Sequence, residues 1–401
     1  MPVFTNLLIV AAVAFACPFM LGLLPRVRLP SVVLEILAGI VVGPSVLGVV
    51  EVDEAVEVVS VIGLAFLLFL AGLEVDFHRL RGQTLRLPAI GYAISFAIAV
   101  AVAFLLQGAG LIETPLLVAI ILCATSLGVI IPVLKDAGEI SSSFGQLVVA
   151  AGSIADFGAI ILLSLFFSGE GSIGATLLLI GSVLVLGVVT FAVLRGAEAS
   201  RAIRADLLRL QDTTAQIRVR GAIVLLVGFA AIASELGLEV ILGTFVAGAV
   251  LTLVDRDQVM THPDFRRKLE AIGFGVFIPV FFVGTGVRFD LDALVADSSN
   301  LAMLPVFLAA LLAVRGIPAF VYRRAVGARR AAVAGILQST SLPFIVAATA
   351  IGMDLGLLDA AEGAALVGAG LLSVLLFPVI GLALLRGATP APAPAEPLAA
   401  M

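Results

Sequence analysis

Tryptophan is absent from this 401-residue chain, and there are only two tyrosines, two cysteines and two histidines. The cysteines, Cys17 and Cys123, each fall inside an apolar run and offer neither a disulfide framework nor a metal spacing. His78 and His262 lie in loops, and no nucleophile–base pair or metal-ligand set can be assembled, so enzyme chemistry and a cofactor are not expected. Charge is scarce as well. Only 13% of residues are charged, and the net −5 is spread over short loops, which excludes a nucleic-acid partner. With no tryptophan, an interfacial aromatic belt would have to come from the 25 phenylalanines.

What is present is apolar surface. The chain is 61% hydrophobic with a mean hydropathy of +1.23, more than a soluble domain can bury, and this points to a polytopic membrane protein. The runs are about 20 residues long, which suits helices; barrel strands would be shorter and would alternate. Thirteen spans are expected, near 3–24, 30–50, 56–74, 87–107, 115–134, 144–167, 173–194, 219–235, 239–254, 270–287, 301–322, 331–352 and 362–385. With the N-terminus outside and the C-terminus cytoplasmic, 21 of the 23 Lys and Arg residues fall on the cytoplasmic side, the exceptions being Arg288 and Arg315. The first run lacks a basic leader and is read as a retained span. The expected localisation is the bacterial inner (plasma) membrane, with residues 387–401 an Ala/Pro-rich disordered cytoplasmic tail.

Asp156 is the only carboxylate between Leu147 and Phe167. Placing a carboxylate at bilayer depth costs roughly 2.5–3.5 kcal/mol on insertion scales, so such a residue normally serves protons, ions or a salt-bridge partner. Arg315 stands inside another span, 301–322. It either sets the electrostatics around Asp156 or snorkels about 10 Å towards the cytoplasmic end near Tyr322. A membrane protein with one acid and one base at mid-span suggests a transport site.

The second half of the chain echoes the first. Ile62-Gly63 and Gly72-Leu-Glu-Val-Asp76 match Ile272-Gly273 and Gly286-Val-Arg-Phe-Asp290, Thr125-Ser-Leu127 recurs as Thr340-Ser-Leu342, and Glu35-Ile-Leu-Ala-Gly39 resembles Glu239-Val-Ile-Leu-Gly243. The matching spans are an odd number apart, so the repeats are inverted, an arrangement that places a binding site at mid-membrane on discontinuous helices. Span five carries Gly128 and Pro132 just after Thr125-Ser126, and span twelve carries Pro343 just after Thr340-Ser341. Proline removes a helix donor and frees a carbonyl, so both spans are expected to be broken.

Several stretches together resemble the Kef/NapA-like monovalent cation:proton antiporters: Leu34–Gly48, Leu64–Glu74, Gly243–Leu251 and Pro279–Leu291. The resemblance implies an NhaA-like, all-α fold of about thirteen helices whose two discontinuous helices cross in a core domain. Within an antiporter domain of 1–386, that core would comprise 87–167 and 301–385 and move against dimerisation helices formed by the remainder. It also implies a homodimer. The family's ion-binding aspartate falls on Asp156, which would bind the monovalent cation (Na⁺ or K⁺) and H⁺ in turn. Three positions depart from the family pattern. Ala155 replaces a frequent polar neighbour of the aspartate, Arg315 stands for a lysine, and Ser341 stands for a glutamate. A following nucleotide-binding domain is not expected.

Thr125, Ser126 and Ser153 are candidate ion or proton ligands beside Asp156. Ser153 lies three residues before it and hence on the same helical face. Thr340 and Ser341 are candidates on the second crossing helix, although a membrane hydroxyl often bonds its own helix instead. Glu35, shallower in span two, is a candidate gate or a packing partner. Electroneutral cation:proton antiport is the favoured function. A sodium-coupled solute symporter on a related fold, or a non-transporting membrane sensor, are the alternatives.

Overall fold

A computed structural model describes residues 4–23, 30–73, 83–167, 173–199, 213–236, 238–254 and 263–386, and among these it is helical throughout. The helices are α1 Thr5–Leu23, α2 Ser31–Val42, α3 Glu54–Leu73, α4 Gln83–Gly108, α5 Pro115–Cys123, α6 Leu127–Asp136, α7 Ser143–Phe167, α8 Ile173–Ala199, α9 Ile217–Glu235 and α10 Val240–Val254. They continue with α11 Pro263–Ile272, a π-helical turn at Gly273–Phe277, α12 Ile278–Val287, α13 Leu291–Val295, α14 Ser298–Gly316 and a 3-10 turn at Ile317–Tyr322. The last are α15 Arg323–Val326, α16 Ala328–Gln338, α17 Pro343–Asp354 and α18 Ala360–Arg386.

Eight described helices are long and apolar enough to cross a membrane, or nine if the bent pair α16–α17 counts as one span. Four shorter apolar helices occupy the other expected positions, at Ser31–Val42, Pro115–Ile131, Gly181–Gly196 and Val240–Leu253. Each expected span thus falls on an apolar helix, but thirteen full crossings are not established. Span two departs most from its sequence boundaries. Its helix stops at Val42, and the chain turns through Gly48 at φ +60, so the apolar run to residue 50 is a short helix followed by a turn. The expected tail at 387–401, the loop histidines His78 and His262, and Arg26, Arg28, Arg79, Arg81, Arg201, Arg204, Arg209 and Arg256 lie outside the described residues.

The chain divides into two compact units, Met1–Phe77 with Ile160–Phe289, and His78–Ala159 with Asp290–Met401. In the first unit α2 packs on α12, α3 on α10 and α12, and α10 on α8 and α9. Glycine permits these approaches. A Cβ on Gly286 would collide with the carbonyl oxygen of Ile36 and stand 2.9 Å from the Cα of Gly39. One on Gly72 would strike Phe245 O, and one on Gly248 would strike Phe69 O. Between membrane helices there is little hydrophobic driving force, so close backbone contact through small residues supplies the packing. The repeat reading pairs α2 with α10 and α3 with α12. The two glycine contacts, α2 on α12 and α3 on α10, are therefore the same contact made once by each combination of halves.

In the second unit α18 packs along α14, α16 and α17, while α4 packs on α5, α14 and the 3-10 turn. The hydrophobic cluster Ile130, Leu134, Phe144, Leu147, Ala331, Ala334 and Leu337 joins α6, α7 and α16 at one end. There Arg330 donates to Glu139 at 2.9 Å and lies over the Phe144 ring.

Candidate functional site

Both expected broken helices are present, and their breaks have different causes. The α16–α17 break spans Ser339–Leu342 and bends the chain by 40°. Pro343 opens α17, lacks an N–H, and disfavours helical backbone at Leu342, so α16 must end before it. The α5–α6 break lies at Ala124–Ser126, ahead of Gly128 and Pro132. Those two residues are inside α6, where the carbonyl left unbonded by Pro132 is that of Gly128, one turn back. They are not the breaking residues. Partners from other elements hold this break open.

The backbone N–H of Ser126 donates to Thr340 O at 2.8 Å, and the Thr125 hydroxyl donates to Gln338 O at 2.7 Å. The two breaks therefore touch. Thr125 also carries the link to α7, its N–H donating to Asp156 Oδ1 at 3.4 Å, a long and weak bond. Asp156 is half-buried, in contrast to the fully buried residues around it.

Arg315, in the last turn of α14, is 2% exposed and does not snorkel. Its Nε donates to Thr125 Oγ1 at 2.9 Å, one terminal nitrogen to Ser95 Oγ at 3.1 Å and the other to Gln338 Oε1 at 3.2 Å. Each of these acceptors is neutral. The guanidinium reaches Asp156 through Thr125, whose hydroxyl accepts from Arg315 and donates to Gln338 while its amide holds the carboxylate. Planar donors fanned in three directions suit this task, and a lysine ammonium does not match them.

Of the residues singled out in the sequence, Asp156, Thr125, Ser126, Arg315, Thr340 and Ser341 are gathered at this crossing. Ser153 is on α7, three residues before Asp156, but its hydroxyl donates to Val149 O at 3.1 Å within its own helix. Glu35, 3% exposed on α2, belongs to the first unit. Three residues of the site had gone unassigned. Ser95 and Gln338 accept from Arg315. Ser373 on α18 accepts from the Ser341 N–H at 3.1 Å and bonds back to Ser341 O and Gly370 O at 3.0 and 2.7 Å. Ser95 and Ser373 are lone hydroxyls in apolar spans with no pattern to mark them, whereas Gln338 stands beside the Thr340-Ser341 motif. The Tyr92 ring of α4 packs on Gly158, where a Cβ would sit 2.7 Å from the phenol oxygen, so a glycine one half-turn past Asp156 makes room for that ring.

A chain of this kind has well-defined relatives. It is 29% identical over 389 residues to a Bacillus subtilis protein named as the Na(+)/H(+) antiporter YjbQ, covering 93% of this chain and 62% of that one. It is 25% identical over 390 residues to a Methanocaldococcus jannaschii protein named as Na(+)/H(+) antiporter 3, covering 93% and 94%. The solved structure of the sodium proton antiporter MjNhaP1 from Methanocaldococcus jannaschii superposes with a TM-score of 0.70, covering 96% of this chain and 98% of that chain at 16% identity, which establishes the shared fold. The family model for the transmembrane sodium/hydrogen exchanger matches residues 11–386, nearly the whole described chain with both broken helices and Asp156 inside it. The chain belongs to the transmembrane sodium/hydrogen exchanger family.

Proposed function

We propose that this protein exchanges a monovalent cation, Na⁺ or K⁺, for H⁺ by alternating access, with Asp156 as the group that carries each in turn. The observation that carries this reading is the setting of Asp156. A half-buried carboxylate accepts a long hydrogen bond from the Thr125 N–H at the first break, and that break is tied to the second through Ser126 N–H and Thr340 O. A carboxylate in such a place can exchange a proton for a cation with little rearrangement. Carbonyls in the last turn of α5, where the helix stops at Cys123, are natural cation ligands beside it, whereas those ending α16 are engaged, Gln338 O by the Thr125 hydroxyl. Arg315 fixes the crossing through its hydrogen bonds to Ser95, Thr125 and Gln338. The names of the Bacillus subtilis and Methanocaldococcus jannaschii relatives, both as Na(+)/H(+) antiporters, agree with this reading.

Exchange is electroneutral in this scheme. Ala155 and Ser341 supply no second titrating group, so Asp156 is neutralised by one proton or by one monovalent cation in either crossing state. The membrane potential, worth about 2.3 kcal/mol per charge per 100 mV, then neither drives nor opposes turnover. The working form is a homodimer in the bacterial inner membrane with the N-terminus outside and the C-terminus cytoplasmic. Residues 87–167 and 301–385, which hold the whole site, move as the core, and the remaining helices serve as scaffold.

The test is cation-resolved proton flux in proteoliposomes. Wild-type protein should dissipate an imposed pH gradient on addition of Na⁺ or K⁺, and Asp156→Asn, which keeps the shape and removes the charge, should not while remaining folded. Wild-type-like flux from that variant would end the assignment. With the voltage clamped by valinomycin for Na⁺ exchange, a reversal point that moves with voltage would instead reveal a second charge carrier, for which Glu35 is the first residue to replace.

A further inference from the structure

Hydroxyls on the helices of this protein commonly return to their own backbone. Ser153 donates to Val149 O at 3.1 Å, Thr244 to Val240 O at 3.2 Å and Thr285 to Phe281 O at 2.9 Å, each one turn back. Ser126, Thr340 and Ser341 lie in non-helical backbone at the two breaks and lack that option. Ser126 is the N-cap of α6 but makes no side-chain cap bond. Their relative exposures are 5%, 0% and 0%, and none of the three hydroxyls has a hydrogen-bond partner among the described residues. The other partnerless buried hydroxyls among the described residues, Ser60, Tyr92, Ser164 and Thr349, sit singly on helices. These three are gathered where the breaks touch, with Ser126 N–H on Thr340 O. Ser373 of α18 grips both backbone groups of Ser341, so the backbone that carries that hydroxyl is held in place.

Buried polar groups in folded proteins are satisfied almost without exception, and where protein cannot do it water does. The surrounding charge decides between water and a second cation. The Arg315 guanidinium is bonded to Thr125, next to Ser126, and to Gln338, two residues before Thr340. The N-termini of α6 and α17, each carrying partial positive charge, start immediately after Ser126 and Leu342. With Asp156 and the C-terminal ends of α5 and α16 already facing one transported cation, a second cation would meet that ion as well as these positive groups, whereas neutral water offers both donors and acceptors to hydroxyls.

We propose that Ser126, Thr340 and Ser341 form a buried water-binding site at the helix crossing, and that its water completes the hydrogen-bond shell of the ion held at Asp156. The second half of this proposal rests on the exchange reading given above; the first half does not. Two measurements on the full chain test it. A structure at a resolution that shows ordered solvent should place water within hydrogen-bond reach of at least two of these hydroxyls in wild type, and should lose it in Thr340→Val. Soaking with Rb⁺ should leave that density unchanged. No water there, or Rb⁺ in its place, would overturn the water site.

In proteoliposomes, Thr340→Val combined with Ser341→Ala should raise the apparent cation KM about fivefold to tenfold, as loss of one ligand-shell hydrogen bond does, while Thr340→Ser stays near wild type. If the hydroxyls are merely strained, removing them should raise the melting temperature and leave transport untouched, and that result too would refute the proposal. Wild-type protein that shows no exchange with any cation would defeat the antiport reading and the ion-shell half with it, and the solvent structure would still decide the water site.

Discussion

Replacing Arg315 should weaken the second unit through lost geometry more than through lost charge. Three donors on one planar group reach α4 at Ser95, the first break at Thr125 and the end of α16 at Gln338, over 2.9 to 3.2 Å. Hydrogen bonds between membrane helices average about 0.6 kcal/mol and reach about 1.7. Removing the whole fan by Arg315→Met is therefore expected to cost about 2–5 kcal/mol. Arg315→Lys keeps the charge, but a single ammonium cannot meet three acceptors spread around a guanidinium plane, so it should recover less than half of that loss. The protein carries its own reporter. Cys123 is buried at the end of α5, beside the first break, and Cys17 is the only other thiol. In a Cys17→Ser background, the rate and thermal midpoint of Cys123 labelling by a thiol-reactive dye read the opening of this crossing. The Met variant should expose Cys123 at clearly lower temperature, with Lys closer to Met than to wild type. Full recovery by lysine would show that charge alone matters and would refute the three-way tie.

In the first unit, Gly286→Ala should cost about 3 kcal/mol or more, because its Cβ meets the backbone of α2 at Ile36 O and Gly39 rather than a side chain that could turn away; unfolding by SDS titration in mixed micelles measures it, and a near-neutral result would mean that α2 and α12 are not packed this closely. Glu139→Gln should cost about 1–3 kcal/mol by leaving the nearly buried Arg330 with a neutral acceptor in place of a carboxylate, read in the same titration. Asp53 gives a pH-dependent case. Its carboxyl lies below its ordinary value of 3.8 because it accepts the Val56 N–H at 3.0 Å and, with a smaller effect, the Asn6 amide at 3.1 Å. The stabilisation is thus complete above 3.8 and fades as the pH falls through the lower folded-state value. Asp53→Ala should melt below wild type at pH 7, and the gap should close in strong acid; a gap that persists there would show that the charge is not its source.

How much of this site could be read from residues alone depended on whether the cause was local. The second break was legible because Pro343 dictates it chemically. The first was placed correctly beside Thr125-Ser126 but for the wrong reason, since Gly128 and Pro132 continue the helix while contacts to residues 338 and 340 interrupt it. Asp156 and Arg315 stood out because charge is rare in these spans. Their connection did not, because Thr125 mediates it and a β-branched hydroxyl in a membrane helix is commonplace. Ser95 and Ser373 were invisible for the same reason. The short α2 was missed because the apolar run continues through the turn that follows it, and hydropathy does not distinguish an apolar helix from an apolar turn.

The π turn at Gly273–Phe277 has a consequence for comparing relatives. A π turn holds one residue more than the α turn it replaces, so α11 and α12 are not in one helical register. Its glycines lie at Gly273 and Gly275, and the Phe277 carbonyl is the atom against which Gly63 of α3 fits. A relative with uninterrupted α-helix here should show a one-residue gap within this segment. Placing that gap elsewhere would rotate every assigned face of α12 by about 100° and put Gly286 opposite lipid instead of α2.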